Sequence, residues 1–186
     1  MLYSVQLTVY KLWSSANPWD LSDFASQFKG VQLSFMYHFH YVVRTQATSE
    51  VAWSVFSNWN LWRHFASIYG EIDWVEGKPW EVGSRMRIEV LRPGKAVVER
   101  LIICCEPPRE LGWIDRALGM TLDQWVEFHA HPLGGTSIRT WGDLAPSGFR
   151  LGGRTAEQLF AEFTETWFEN FRAACDELAQ NLPAQV

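Results

Sequence analysis

The sequence predicts an α+β fold in which a curved, seven-stranded antiparallel sheet wraps around one long C-terminal helix, with two short helices after the first strand. Two observations predict it. Short alternating segments bounded by turn residues recur through the middle of the chain, and one long helical pattern without Gly or Pro follows them. Because an antiparallel sheet with one apolar face must cover that face, we expect the long helix to pack against it.

The first strand is expected at Tyr37 to Thr45, where aromatic and β-branched residues are frequent and the pattern alternates. The period then becomes helical. Thr48 and Ser49 precede Glu50, an arrangement typical of a helix start, and Asn58 is expected to cap a second short helix.

Six further strands are expected, joined by short turns, most of which contain Gly or Pro, so that they form an antiparallel meander. They are Ile68 to Val75, Val82 to Leu91, Lys95 to Glu106, Glu110 to Ala117, Thr121 to His131 and Thr136 to Leu144.

The long helix is expected at Arg154 to Leu182, because apolar residues recur there three or four positions apart. Residues 1–35 show only weak patterning, and nothing in them builds a core. We therefore expect an N-terminal extension of uncertain structure at 1–35 and one ligand-binding domain at 36–186.

Composition and charge exclude several classes of function. The net charge is −5 and no long run of Lys or Arg occurs, so we expect neither a nucleic-acid partner nor binding to an anionic membrane surface. The three cysteines, Cys104, Cys105 and Cys175, suggest no disulfide framework and suit a reducing cytoplasm. Met1 to Trp13 lacks the features of an export signal, and its longest apolar run is too short for membrane insertion.

The aromatic content is unusual. Eleven Trp and twelve Phe exceed what a small core normally needs, and such rings commonly line apolar pockets or interfaces. A bulky core with a few exposed rings explains the same composition equally well.

Four short motifs also occur in a particular order. They are Thr48-Ser49-Glu50 followed by Ala52-Trp53, Asn58, Trp59 and Trp62; Val82-Gly83-Ser84; Glu106-Pro107-Pro108-Arg109-Glu110-Leu111-Gly112-Trp113; and Pro132-Leu133-Gly134-Gly135-Thr136. Together with the order of elements, this series resembles the START and polyketide cyclase superfamily, SRPBCC, over about Tyr37 to Leu182. The resemblance implies a helix-grip fold whose cavity often takes a lipid, polyketide, hormone or similar apolar molecule. No catalytic motif is shared across that superfamily.

Strand alternation predicts the side chains that face the long helix, taking Leu111 and Trp113 as inward. Any one of these residues could equally fill a dry core. With rings from the short and long helices, the predicted ligand-binding residues are Trp53, Phe56, Phe65, Met86, Ile88, Leu101, Ile103, Trp113, Gln124, Val126, Phe128, Phe160, Phe163 and Trp167.

The same alternation places Glu99, Asp115 and Gln124 on the inward face of three successive strands. Carboxylates in an apolar pocket could act as general acid and base on a ketone-bearing substrate, which makes Glu99 and Asp115 the candidate catalytic pair. A one-residue β-bulge would turn any of the three toward solvent, and an ordinary surface or paired role is the alternative.

Two His-x-His pairs, His38 with His40 and His129 with His131, could chelate a metal, but alternation places both on the solvent side. No carboxylate or Cys completes a ligand set, so we predict no metal and no cofactor. Cys105 lacks a His partner and is expected to be a small core residue.

The sequence therefore favours a carrier or sensor, cytoplasmic and monomeric or homodimeric, that binds a small hydrophobic molecule such as a lipid, polyketide or aromatic compound. Two alternatives stay open. One is a polyketide cyclase or dehydratase-like enzyme, which leaves open whether the protein catalyses a reaction. The other is a protein-interaction module of co-chaperone or toxin type, suggested by the additional Trp13, Trp19 and Trp80.

Overall fold

A computed structural model of the chain describes residues 36–92, 94–145, 150–151 and 154–181, and every structural statement below concerns these residues. The N-terminal extension expected at 1–35 lies outside them. None of the described helices is both long enough and apolar enough to cross a membrane.

Seven strands form one antiparallel sheet in the order β1-β7-β6-β5-β4-β3-β2. Each strand from β2 to β6 therefore neighbours the next one in sequence, which is the expected meander, and β7 also pairs with β1. The strands are β1 Tyr37–Thr45, β2 Tyr69–Glu76, β3 Arg85–Val90, β4 Ala96–Glu106, β5 Glu110–Ala117, β6 Met120–Ala130 and β7 Thr136–Ala145. Arg150–Leu151 (β8) and Arg154–Thr155 (β9) form a separate two-stranded ribbon.

Two short helices follow β1, as predicted. Helix α1 spans Ser49–Ser57, and the Thr48 side chain caps it by accepting a hydrogen bond from the backbone N–H of Val51. A 3-10 turn at Trp59–Leu61 leads into helix α2, Trp62–Phe65. Asn58 occupies the N-cap position of this turn, as expected, but its side chain makes no cap hydrogen bond.

Helix α3, Ala156–Asn181, is the long C-terminal helix. It is joined to β1 by side-chain hydrogen bonds: Tyr41 donates to Glu169 at 3.0 Å, and Thr45 donates to Asp176 at 2.5 Å. Arg172 lies between the two carboxylates and donates to both. These contacts hold one face of α3 against the first strand and leave its apolar face for the inside of the sheet.

Aromatic rings fill the space where α1, α2 and the middle of α3 meet the sheet. Phe56 is at the centre of this aromatic cluster and is 1% exposed. Its ring packs at centroid distances of 5.6 to 6.2 Å against the rings of Trp53, Trp62, Trp80, Trp113, Phe128, Trp167 and Phe171. The rings of this aromatic cluster therefore belong to the core.

Strand β4 contains an irregularity that decides the layout of the site. Arg100 pairs with Asp115 and Ile102 with Trp113, but Cys104 then pairs with Gly112, which leaves Ile103 as an extra residue. This is the pairing of a β-bulge. Because side chains alternate along a strand, the extra residue reverses the inward and outward assignment of everything before it in β4.

Candidate functional site

A cavity of about 210 Å³ lies between the sheet and the first turns of α3, next to the aromatic cluster. Its walls are almost entirely apolar. The residues that line it are Ile68, Tyr69, Ile88, Val90, Val98, Arg100, Asp115, Ala117, Met120, Leu122, Gln124, Leu144, Phe160 and Phe163. At one end Val90, Ala117 and Met120 are partly exposed, whereas Arg100, Asp115 and Gln124 are buried. The cavity therefore has a polar inner end and an apolar end nearer to solvent.

Arg100 and Asp115 form an ion pair at the inner end. Arg100 donates from Nε to one carboxylate oxygen and from Nη2 to the other, both at 2.7 Å. Trp113 donates from Nε1 to the same carboxylate at 3.2 Å. The guanidinium lies 4.2 Å from the centroid of the Trp113 ring and 5.3 Å from that of Trp62. Two-point pairing and stacking on both rings hold the Arg100 plane in one orientation.

Tyr69 and Gln124 supply the other polar groups. Gln124 donates to the Thr140 hydroxyl at 2.8 Å, which fixes the orientation of its amide. Burial raises the pKa of the Tyr69 hydroxyl well above its ordinary value, and nearby Asp115 adds to the shift while Arg100 opposes it. The hydroxyl therefore stays protonated and can act as a donor at any physiological pH.

A smaller annex of about 30 Å³ adjoins the cavity. Tyr69, Arg100, Gln124 and Phe163 line both spaces, so the polar inner end is shared between them. The rest of the annex is lined by Phe56, Trp62, Trp113, Thr164, Trp167 and Phe168. A volume of this size is enough for a water molecule or for one polar group of a larger molecule.

The predicted inward placement of Glu99, Leu101 and Ile103 is wrong. The bulge in β4 turns Arg100 and Ile102 inward, at 7% and 0% exposure. Glu99 is exposed and lines an open groove on the outer side of the sheet, beside Val97 and Arg116. Glu99 and Asp115 therefore lie on opposite faces, and Arg100 takes the place beside Asp115.

The other predicted ligand-binding residues separate into two groups. Ile88, Gln124, Phe160 and Phe163 line the cavity, as does Asp115, and Phe56, Trp113 and Trp167 line the annex. The remainder, which line neither space and pack in the core, are Trp53, Phe65, Met86, Val126 and Phe128.

Alternation alone did not single out Tyr69, Val98, Met120, Leu122 and Leu144, although they line the cavity. For Met120, Leu122 and Leu144 a signal was available. On β6, Met120 and Leu122 lie on the same face as Gln124, and on β7, Leu144 lies on the same face as Ile138. Applying the alternation along the full length of each strand would have included all three.

Three of the four His residues in the two pairs lie on the exposed face where alternation placed them, whereas His131 follows the end of β6 and is partly buried. His38, His40 and His129 are exposed, and β7 separates the two strands that carry the pairs. His38 pairs with Asp143 at 3.0 Å and His129 with Glu127 at 2.7 Å. Within the described ranges, no three His, Cys, Asp or Glu side chains are grouped as a metal site would require.

Solved structures provide the comparison. Ara h 8.0201 superposes with a TM-score of 0.61 at 13% identity, covering 75% of this chain and 97% of that one. The di-domain ARO/CYC protein BexL from the BE-7585A biosynthetic pathway gives 0.60 at 15% identity, covering 80% of this chain and 51% of that one. The chain has the helix-grip fold.

The helix-grip fold that the four motifs implied is therefore confirmed. Protein MLL2253 from Mesorhizobium loti is similar to the same degree, with a TM-score of 0.59 at 18% identity over 76% of this chain and 98% of that one. No family model matches the sequence, and no curated protein matches it significantly. At these identities the likeness concerns the fold alone.

Proposed function

We propose that the protein is a carrier or sensor that binds a small, mainly apolar molecule in the cavity between the sheet and α3. The proposal rests on the cavity itself, a largely apolar space with a few buried polar groups at one end. Apolar walls provide affinity by removing surface from water, and a small number of fixed polar groups orient the ligand.

The volume limits the size of the ligand. The cavity measures about 210 Å³, whereas pockets for drug-sized molecules measure about 300–1,000 Å³. An engineered protein cavity of about 150 Å³ holds benzene. A substituted single ring is therefore the best match, and a long-chain lipid or a multi-ring polyketide would need the walls to move.

The carrier role is favoured over the enzyme alternative by the arrangement of the carboxylates. Glu99 lies on the outer face of the sheet. Both oxygens of Asp115 already accept hydrogen bonds from Arg100, and one also accepts from Trp113. A general acid or base needs a free position toward its substrate, and three of the about four acceptor positions of this carboxylate are already used.

The test compound must be small and apolar to match this cavity. We would titrate the protein with p-cymene (4-isopropyltoluene) by isothermal titration calorimetry. Val98→Phe should fill the cavity and abolish binding. Val97→Phe is the matched control, because Val97 is the neighbouring residue on the exposed face of the same strand, 41% exposed, and it should bind like the parent. Equal binding by both variants would contradict the proposed site.

A further inference from the structure

The inner end of the cavity offers hydrogen-bond donors that have no acceptor among the described residues. Arg100 is 7% exposed and uses Nε and Nη2 for Asp115, while no hydrogen bond to the described residues involves Nη1. Likewise, no hydrogen bond within the described ranges involves the Tyr69 hydroxyl, although Tyr69 lines both the cavity and the annex. An occupant of the cavity that supplies an acceptor would give both of these donors a hydrogen bond.

A third donor belongs to the same region. Trp167 lines the annex, and its Nε1 is buried with no hydrogen-bond partner in the described part of the chain. The annex walls also carry oxygen atoms on Gln124 and Thr164. The amide of Gln124 is already engaged with Thr140 through its nitrogen. Donors thus predominate among the groups left without a described partner.

The charge of the site is balanced before any ligand enters. Among the described residues that line the cavity and annex, Arg100 and Asp115 alone carry a formal charge, and these cancel. A carboxylate entering this space would lose its hydration and add a net negative charge with no unpaired cation to offset it. A neutral acceptor, such as a carbonyl oxygen, would satisfy the donors without that cost.

Building on the proposed function, we infer that the ligand is a neutral ring compound bearing a carbonyl group, whose oxygen is received at the inner end by Arg100 Nη1 and the Tyr69 hydroxyl. The ring would occupy the apolar part of the cavity among Leu122, Leu144 and Phe163. The ion pair thus orients the guanidinium as a hydrogen-bond donor while making the site reject organic anions. The raised pKa of Tyr69 keeps its hydroxyl available as the second donor.

Three compounds of nearly the same shape test this inference by isothermal titration calorimetry at pH 7.5. They are p-cymene, 4-methylacetophenone and 4-methylbenzoate, which carry isopropyl, acetyl and carboxylate groups at the same ring position. We expect the ketone to bind at least tenfold more tightly than the carboxylate. A carboxylate that binds as tightly as the ketone would overturn the inference, even where p-cymene binding upholds the cavity as a binding site.

Substitution of Tyr69 separates the polar contact from simple burial. In Tyr69→Phe, affinity for 4-methylacetophenone should fall about fivefold, as expected for one hydrogen bond, while affinity for p-cymene should be unchanged or higher. Tyr41→Phe is the matched control, because the Tyr41 hydroxyl donates to Glu169 outside the cavity. Equal losses for ketone and hydrocarbon in Tyr69→Phe would contradict a carbonyl contact at this position.

A double substitution guards against loss of folding. Arg100→Met with Asp115→Leu removes the pair together and leaves no unpaired buried charge. The double variant should discriminate less between ketone and hydrocarbon than the parent does, because only the Tyr69 hydroxyl remains as a donor, and it should still bind p-cymene. If it kept the full ketone preference of the parent, Arg100 would not be the donor. If none of the three compounds bound even the parent protein, the proposed function itself would fail.

Discussion

Arg100 and Asp115 face each other across β4 and β5, joined by two parallel hydrogen bonds of 2.7 Å at the polar inner end of a largely apolar cavity. The pair exists because a bulge near Ile103 brings Arg100 to the inner face of the sheet. It provides the cavity with directed donors and no net charge. We therefore expect both the stability of the domain and the choice of ligand to depend on this contact.

Removing one partner of the ion pair should be costly. Asp115→Asn leaves the Arg100 charge buried at 7% exposure without its counter-ion, and we expect the free energy of unfolding to fall by about 3–5 kcal/mol. Urea denaturation would measure the change. The control is Arg85→Gln, which breaks an exposed ion pair with Glu76 and should cost less than about 1 kcal/mol. Similar costs for both would mean that Asp115 does not compensate a buried charge.

Phe56 should be among the most sensitive core positions, because its ring contacts the aromatic cluster on several sides. Phe56→Ala should lower the free energy of unfolding by about 3–5 kcal/mol. Leu133→Ala, at a residue that is 91% exposed, should change it by less than about 0.5 kcal/mol. A small effect at Phe56 in thermal or urea unfolding would contradict a closely packed cluster.

The buried thiol of Cys175 should make the protein sensitive to alkali. Burial, with a smaller contribution from the Asp176 carboxylate, raises the pKa of Cys175 to about 12. Since the pKa in the folded state exceeds that in the unfolded state, the unfolded chain releases its proton first as the pH rises. The contribution of Cys175 to stability is therefore complete below the unfolded pKa of about 8.5 and is lost progressively toward pH 12.

Urea unfolding of the parent and Cys175→Ala between pH 7.5 and 10.5 tests this linkage. The free energy of unfolding should fall with pH in both proteins, and the fall should be smaller in Cys175→Ala. Cys104→Ala serves as the control, because the pKa of that more accessible thiol is raised less. If the free energy of unfolding changed with pH in the same way in the parent and in Cys175→Ala, ionisation of this thiol would not be coupled to unfolding.

The two faces of β4 should differ in their effect on binding. Glu99 is exposed on the outer face, so Glu99→Gln should leave the affinity for 4-methylacetophenone within about twofold, a difference of less than about 0.5 kcal/mol. Calorimetric titration of Glu99→Gln, with Tyr69→Phe as the positive control, would measure it. A large loss in Glu99→Gln would restore the inward placement that alternation alone predicted.

Most of the fold could be predicted because its signals are local. The alternation in Tyr37–Thr45 and the helical period of α3 each follow from one segment of sequence, and the observed bounds differ from those expected by only a few residues. The turn-bounded strands between them also determine which neighbours pair. Even the inward faces of β5 and β6 followed from alternation alone, with Trp113 and Val126 both buried.

The site was harder to predict because it depends on a single extra residue. Residues 101–105 read Leu-Ile-Ile-Cys-Cys, so both faces of this part of β4 are apolar, and the pattern fits either phase. Only the pairing of Cys104 with Gly112 reveals the bulge and moves Arg100 inward. Alternation also tells which face a residue occupies, but not whether the rings of α1 and α3 reach far enough to fill the space beneath it.

The most direct test of the cavity is a crystal structure of the protein pressurised with xenon, which enters dry apolar cavities in proteins. We predict a xenon peak bounded by Val98, Leu122 and Phe163 in the parent protein and none in Val98→Phe. A parent crystal in which side chains fill this space and no xenon is bound there would contradict the account.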